Sequence, residues 1–159
     1  MQIAVAGAAQ ATEAEYEAAY ATGALIAQAG AILVCGGLGG VMEAACKGAR
    51  EHGGTTVGIL SGTGDGNPYL GIVIRSGLGH ARNILVAQSG DAMVAIGGSH
   101  GTLSEIAIAL KTGCPVFGIG SWDIEGVVKC TTPGEAVEMA VKAAGASAKH
   151  RRRDPIGHA

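Results

Sequence analysis

Aromatic side chains are scarce in this 159-residue chain: one tryptophan, one phenylalanine and three tyrosines, 3% in all. Ala, Gly, Val and Ile must therefore do the packing. Small side chains let helices and strands approach closely, which suits layered α/β packing better than a loose bundle. An excess of charge is missing too. The formal net charge is -2, which gives no general attraction for nucleic acid or for an anionic membrane surface. No stretch approaches the ~20 apolar residues needed to span a bilayer. The opening MQIAVAGAAQ has no basic segment ahead of its apolar run, so it reads as a strand rather than a signal peptide, and a cytoplasmic location is expected. The four cysteines, Cys35, Cys46, Cys114 and Cys130, form no C-x-x-C pair. That excludes the usual zinc spacings and a disulfide framework, and leaves thiols in a reducing compartment. The five histidines also lack ligand spacing, so no metal site is expected.

What is present is a regular alternation. The runs QIAVAG, AILVCG, TTVGIL, GIVIRS, AMVAIG and PVFGIG are continuously apolar, as expected of strands covered on both faces. Helical patterns lie between most of them: Thr12 to Ala29, Gly40 to His52, His80 to Ser89, Thr102 to Thr112 and Pro133 to Ala144. Gly53–Gly54, and Gly113 followed by Pro115, are helix stop signals. Repeated strand–helix alternation implies right-handed crossovers and a single-domain α/β fold, a doubly wound parallel sheet with helices on both faces. The predicted domain covers residues 1–148, and a basic tail with Arg151 to Arg153 occupies residues 149–159. A short basic run without interleaved aromatics reads as a solvated tail, not a nucleic-acid arm. SGTGDGNPYLG, from Ser61 to Gly71, joins two strands without a helix.

Two strand-to-helix turns are rich in glycine. The first contains Gly36, Gly37, Gly39 and Gly40; the second contains Gly97, Gly98, Ser99, His100, Gly101 and Thr102. A helix that starts directly after a parallel strand leaves backbone N–H groups unpaired, with about half a positive charge from its dipole. Glycine removes the Cβ atoms that would hold an anion away from those donors. Such turns lie along one sheet edge, where ligands bind at the reversal of strand order. Tight packing is the other use of such glycines. Neither turn is a dinucleotide fingerprint or a P-loop, but two on one edge point to anion or nucleotide binding rather than packing alone.

Glu105 has two readings. Thr102-Leu-Ser-Glu105 has capping-box spacing, as do Thr12–Glu15 and Thr132–Glu135. Alternatively the carboxylate belongs to the site that GGSHG opens. Arg82 and Asn83 stand at the start of a helix, where an arginine opposes the dipole. Local helix stability does not explain it. A guanidinium there has two readings, a contact to a phosphate in the anion site or a plain surface arginine.

Taken together, CGGLGGVMEAACKGA, HARN and IGGSHGTLSEIAIAL resemble the Rossmann-like superfamily once mislabelled "possible lysine decarboxylase". That superfamily includes the lonely guy phosphoribohydrolases and the molybdenum cofactor carrier proteins. The likeness runs from Met1 to about Ala144, and the wording GGVMEAACKGA, NPY, ARN and GTLSEIAIAL is nearer the short, carrier-like branch. The resemblance implies a Rossmann-like fold and a phosphate held by the Gly98–Thr102 turn, with Arg82 and Glu105 lining the site. It further implies a bound molybdenum cofactor or nucleoside monophosphate, and a homodimer or higher homo-oligomer. The helix from Ile106 to Leu110 is the expected source of apolar contact surface. In the hydrolases the second motif reads P-G-G-x-G-T-x-x-E after an Arg-Lys pair. Here Gly97 replaces the proline, Ser99 the second glycine and Asn83 the lysine. If the chain is an enzyme, Glu105 and Arg82 are its catalytic residues. A guanidinium cannot serve as the acid for the leaving base, which leaves His100 as the candidate. The missing lysine favours a binding protein over a hydrolase that splits nucleoside 5′-monophosphates into base and ribose 5-phosphate.

Overall fold

A computed structural model describes the backbone of residues 1–151 and the side chains of residues 1–146. Seven strands form one sheet: β1 (Gln2–Gly7), β2 (Ile32–Cys35), β3 (Thr56–Leu60), β4 (Ile72–Arg75), β5 (Ala92–Ile96), β6 (Val116–Ile119) and β7 (Val127–Cys130). Their spatial order is β4-β3-β2-β1-β5-β6-β7, and every neighbouring pair is parallel. Among the described residues there are five α-helices: α1 (Glu13–Gln28), α2 (Val41–Glu51), α3 (Arg82–Ser89), α4 (His100–Lys111) and α5 (Pro133–Arg151).

The alternation of side chains along β1 divides the core into two. Ile3 and Val5 pack with residues of α1, α2 and α5, while Ala4 and Ala6 face Val86 and Ala87 of α3 and Ile106 and Ala109 of α4. Both faces are apolar, so the strand reads as one continuous run. The scarcity of aromatics is felt most between α1 and α2. A Cβ on Gly23 would overlap the carbonyl oxygen of Ala45, and one on Gly48 would overlap that of Tyr20. The two helices touch backbone to backbone.

Three expectations need correction. β7 was not expected; its VVKC segment is short, and Val128 and Lys129 are exposed on the sheet edge. The expectation that every strand is covered on both faces fails at β4, the opposite edge, where Ile72 and Ile74 are about half exposed. The Ile106–Leu110 segment differs in part from expectation: Ile106 and Ala109 are fully buried and pack on the sheet, while Ile108 and Leu110 are half-buried and Ala107 is exposed. Open apolar surface lies on β4, Leu78, Ile84 and Leu85. The register pairs Ile72 with Val57 and Ile74 with Ile59. Val57 and Ile59 belong to the α3 side of the core, so these exposed residues share one face.

Helix α5 continues to Arg151, past the expected Ala144. The remainder of the basic tail, with Arg152 and Arg153, lies outside the described residues. Among the described residues no helix is long and apolar enough to cross a membrane, and no group of three or more His, Cys, Asp or Glu could hold a metal ion. All four cysteines are buried, and none forms a disulfide.

Candidate functional site

The strand order reverses between β1 and β5: from β1 the chain builds outward through β2 to β4, and from β5 outward through β6 to β7. The carboxyl ends of those two strands therefore diverge into a crevice, the usual ligand position in an open parallel sheet. Gly7 and Ala9 line it from the β1 side, Ser99, Gly101, Thr102 and Glu105 from the β5 side. Arg82, Asn83, His80 and Gly79 close it from the start of α3, and Leu38, Met42 and Ser61 complete the wall. The volume is about 190 Å³, below the ~300–1,000 Å³ of pockets that enclose a whole drug-sized molecule. The cleft has room for a small chemical group.

The second glycine turn builds the cleft through the way α4 begins. The helix starts at His100, with Ser99 as its N-cap. Thr102 Oγ1 accepts the Ser99 N–H at 3.3 Å, taking the return role that Glu or Gln has in a capping box. This overturns the capping reading of Glu105. The cap forms three residues earlier than the T-x-x-E spacing suggests, and Glu105 falls a turn inside the helix, 5% exposed. In the capping box the Ser99 side chain accepts the Thr102 N–H, which leaves the N–H groups of the helix's first residues without an acceptor within the helix. Gly101 opens onto them: a Cβ there would meet nothing closer than Ser99 Oγ at 3.7 Å.

The other glycines serve packing. Gly97 has φ +59° and lies against the Glu15 carboxylate, Gly98 lies against the Trp122 indole, and Gly36 lies against the Arg82 guanidinium. Gly37 (φ +71°) approaches Leu60, while Gly40 (φ +59°) and Gly39 approach the backbone of Ala8 and Ala9. Of the residues singled out in the sequence, Arg82, Asn83, Ser99, Gly101, Thr102 and Glu105 meet in the cleft. Gly36, Gly37, Gly39, Gly40, Gly97, Gly98 and His100 are not among its lining residues. From the first turn only Leu38, between the two glycine pairs, reaches it.

Arg82 and Asn83 are held by successive positions of α4. Arg82 Nη1 contacts Glu105 Oε1 at 3.4 Å, and Asn83 Nδ2 donates to Ser104 Oγ at 2.8 Å. Gly36 gives the guanidinium room beneath the first glycine turn, which is why that turn tolerates no Cβ there. Arg82 is 7% exposed, and its Nε is buried with no partner among the described residues. Burial pushes the Glu105 carboxyl up to about 7, with the Arg82 charge pulling the other way. Near neutral pH it thus exists in both forms. Protonated, it is neutral and leaves Arg82 as a net positive charge. The cleft therefore offers an anion a helix N-terminus, a buried guanidinium and a carboxyl that can discharge itself.

Gly7, Ala9, Ser61 and Met42 escaped sequence reasoning. A signal existed for the first two: GAA follows the first strand just as GG follows the second and fifth. Ser61 opens a loop that the sequence marks only as irregular, and Met42 sits on a helix face that depends on register.

An uncharacterized protein of Archaeoglobus fulgidus is 47% identical over 143 residues, covering 89% of this chain and 95% of its own. The molybdenum cofactor binding protein from Rippkaea orientalis superposes with a TM-score of 0.81 at 36% identity, covering 87% of this chain and 93% of its own. The molybdenum cofactor carrier protein from Chlamydomonas reinhardtii gives a TM-score of 0.82 at 36% identity, covering 91% and 98%. The SLOG cluster4 family model matches residues 1–148. With that match across nearly the whole length, and with the same Rossmann-like fold in both solved relatives, this chain belongs to the SLOG cluster4 family.

Proposed function

We propose that the protein binds and holds a small phosphorylated ligand, as a carrier rather than a catalyst. The observation that carries this reading is the cleft itself. It sits at the reversal of strand order, with the first turn of α4 on one wall and the buried Arg82 on the other. An anion at a helix N-terminus satisfies donors that otherwise stay unpaired, and the guanidinium adds a charge-assisted contact. The likeness to a molybdenum cofactor binding protein and a molybdenum cofactor carrier supports a pterin cofactor as the ligand. A nucleoside monophosphate presents the same phosphate. The assembly proposed is a homodimer or a higher homo-oligomer.

Hydrolysis is a second reading with one observation in its favour: a carboxyl near pKa 7 in a cleft with His80 resembles a general acid–base site. Against it stands Asn83, where the hydrolases have lysine. Its amide is tied to Ser104, and Arg82 is left as the one permanent cation of the lining.

Titration calorimetry with inorganic phosphate and AMP tests the proposal. The parental protein should bind both. In Gly101→Val, which fills the space against the first turn of α4 without touching the core, both should lose binding by about tenfold or more. Parental affinity in that variant would remove the turn from the site. Incubation with AMP should release no ribose 5-phosphate. Release that Glu105→Gln abolishes would replace the carrier reading by the hydrolase one.

A further inference from the structure

On the far side of the Gly97–Gly98 turn lies a second, open groove of about 330 Å³, lined by Gly97, Gly98, Gly120, Ser121, Trp122 and Asp123. It is formed where β6 and β7 are joined without a helix, so the connecting loop folds back over the end of β5. The sole tryptophan of the chain is fixed there. Its Nε1–H donates to the Ser99 carbonyl at 3.3 Å, and the absence of a Cβ at Gly98 lets the indole edge lie on the turn. Yet Trp122 remains 37% exposed, and the His100 ring stands 6.4 Å away at a tilt of 36°. Beside it, Ser121 Oγ is buried with no partner among the described residues. Asp123 is held at the surface by Lys129. An anchored aromatic face left open next to a buried, unused hydroxyl is not explained by packing.

We infer that this groove is the subsite for the flat ring system of the phosphorylated ligand: an amino-substituted fused heterocycle, pterin or purine. The inference rests on the phosphate reading of the neighbouring cleft and extends it. That cleft has room for a small chemical group, and Ser99 lines it while Gly98 lines the groove. The two thus share the Gly98–Ser99 segment as a common wall. Trp122 supplies the stacking face for the ring. The Ser121 hydroxyl and the Asp123 carboxylate offer acceptors to an exocyclic amino group.

Trp122 emission in the full chain reports on the groove directly. Neopterin phosphate, AMP and inorganic phosphate are titrated into the parental protein with emission recorded, and affinities for the parental protein, Trp122→Ala and Trp122→Phe are measured by calorimetry, since the variants carry no tryptophan. The two heterocyclic phosphates should change the emission and inorganic phosphate should not. The more tightly bound of the two identifies the ring. Trp122→Ala should weaken both by about tenfold while leaving inorganic phosphate within twofold, and Trp122→Phe should restore most of the loss. Heterocyclic phosphates that bind without moving the emission, and equally well in Trp122→Ala, would overturn the subsite and leave the phosphate reading intact. Failure of inorganic phosphate to bind would overturn the phosphate reading. The groove is then judged by free pterin and adenine in Gly101→Val: a change of Trp122 emission at millimolar concentration supports it, and none overturns it.

Discussion

Glu105 is a carboxyl sealed beneath α4, with the Arg82 guanidinium beside it and a pKa raised from 4.5 to about 7. The folded protein therefore holds a proton that the unfolded chain releases between those values. Stability must fall as pH rises through that window, by up to about 3 kcal/mol, and the contribution is fully present only near and below pH 4.5. Glu105→Gln lacks this dependence. The melting temperature of the parental protein should fall relative to the variant as pH rises from about 4.5 to about 7; parallel curves would contradict the buried position. The same proton couples to the ligand. An anion bound beside Glu105 favours its neutral form, so AMP affinity should decline through pH 7 in the parental protein more steeply than in Glu105→Gln. The sequence showed this residue as either a cap or part of a site. It could not separate them, because the choice turns on which of two hydroxyl residues, Ser99 or Thr102, begins the helix.

At the scale of elements, the helices that frame the cleft are placed by small residues and by side-chain clasps. Gly23 and Gly48 seat α1 on α2 with backbone in contact. Gly48→Ala improves helix propensity by ~1 kcal/mol, but its methyl meets the Tyr20 carbonyl, and the net effect should be a loss of about 1–3 kcal/mol, read by urea denaturation. A neutral or stabilising result would mean that the helices can separate freely. The three T-x-x-E segments show how far local pattern carries. Thr12 and Glu15 form the expected box. Glu135 N–H donates to Thr132 Oγ1, but its carboxylate reaches back to Thr131. At Thr102 the pattern serves another purpose. Strand order, and with it the meeting of β1 and β5, depends on which crossovers turn left or right across the sheet, and no local residue states that. β7 stayed hidden because a short edge strand with an exposed lysine carries little of the apolar run that marks a buried one.

At the scale of the molecule, two surfaces remain to be used. Ile72, Ile74, Leu78, Ile84 and Leu85 open one apolar face across β4 and α3, and this is where we expect a second copy to pack. Light scattering should show a dimer or larger, and Ile72→Lys combined with Ile84→Lys should shift it toward the monomer. A monomeric parental protein at micromolar concentration would refute the assembly. The other surface is the cleft between β1 and β5, on which the whole account depends. Its most direct test is a crystal soaked in tungstate, a heavy phosphate analogue located by anomalous scattering. The account predicts a peak within hydrogen-bond distance of the Gly101 N–H group, facing Arg82. A peak bound elsewhere, with the cleft empty at saturating tungstate, would contradict it.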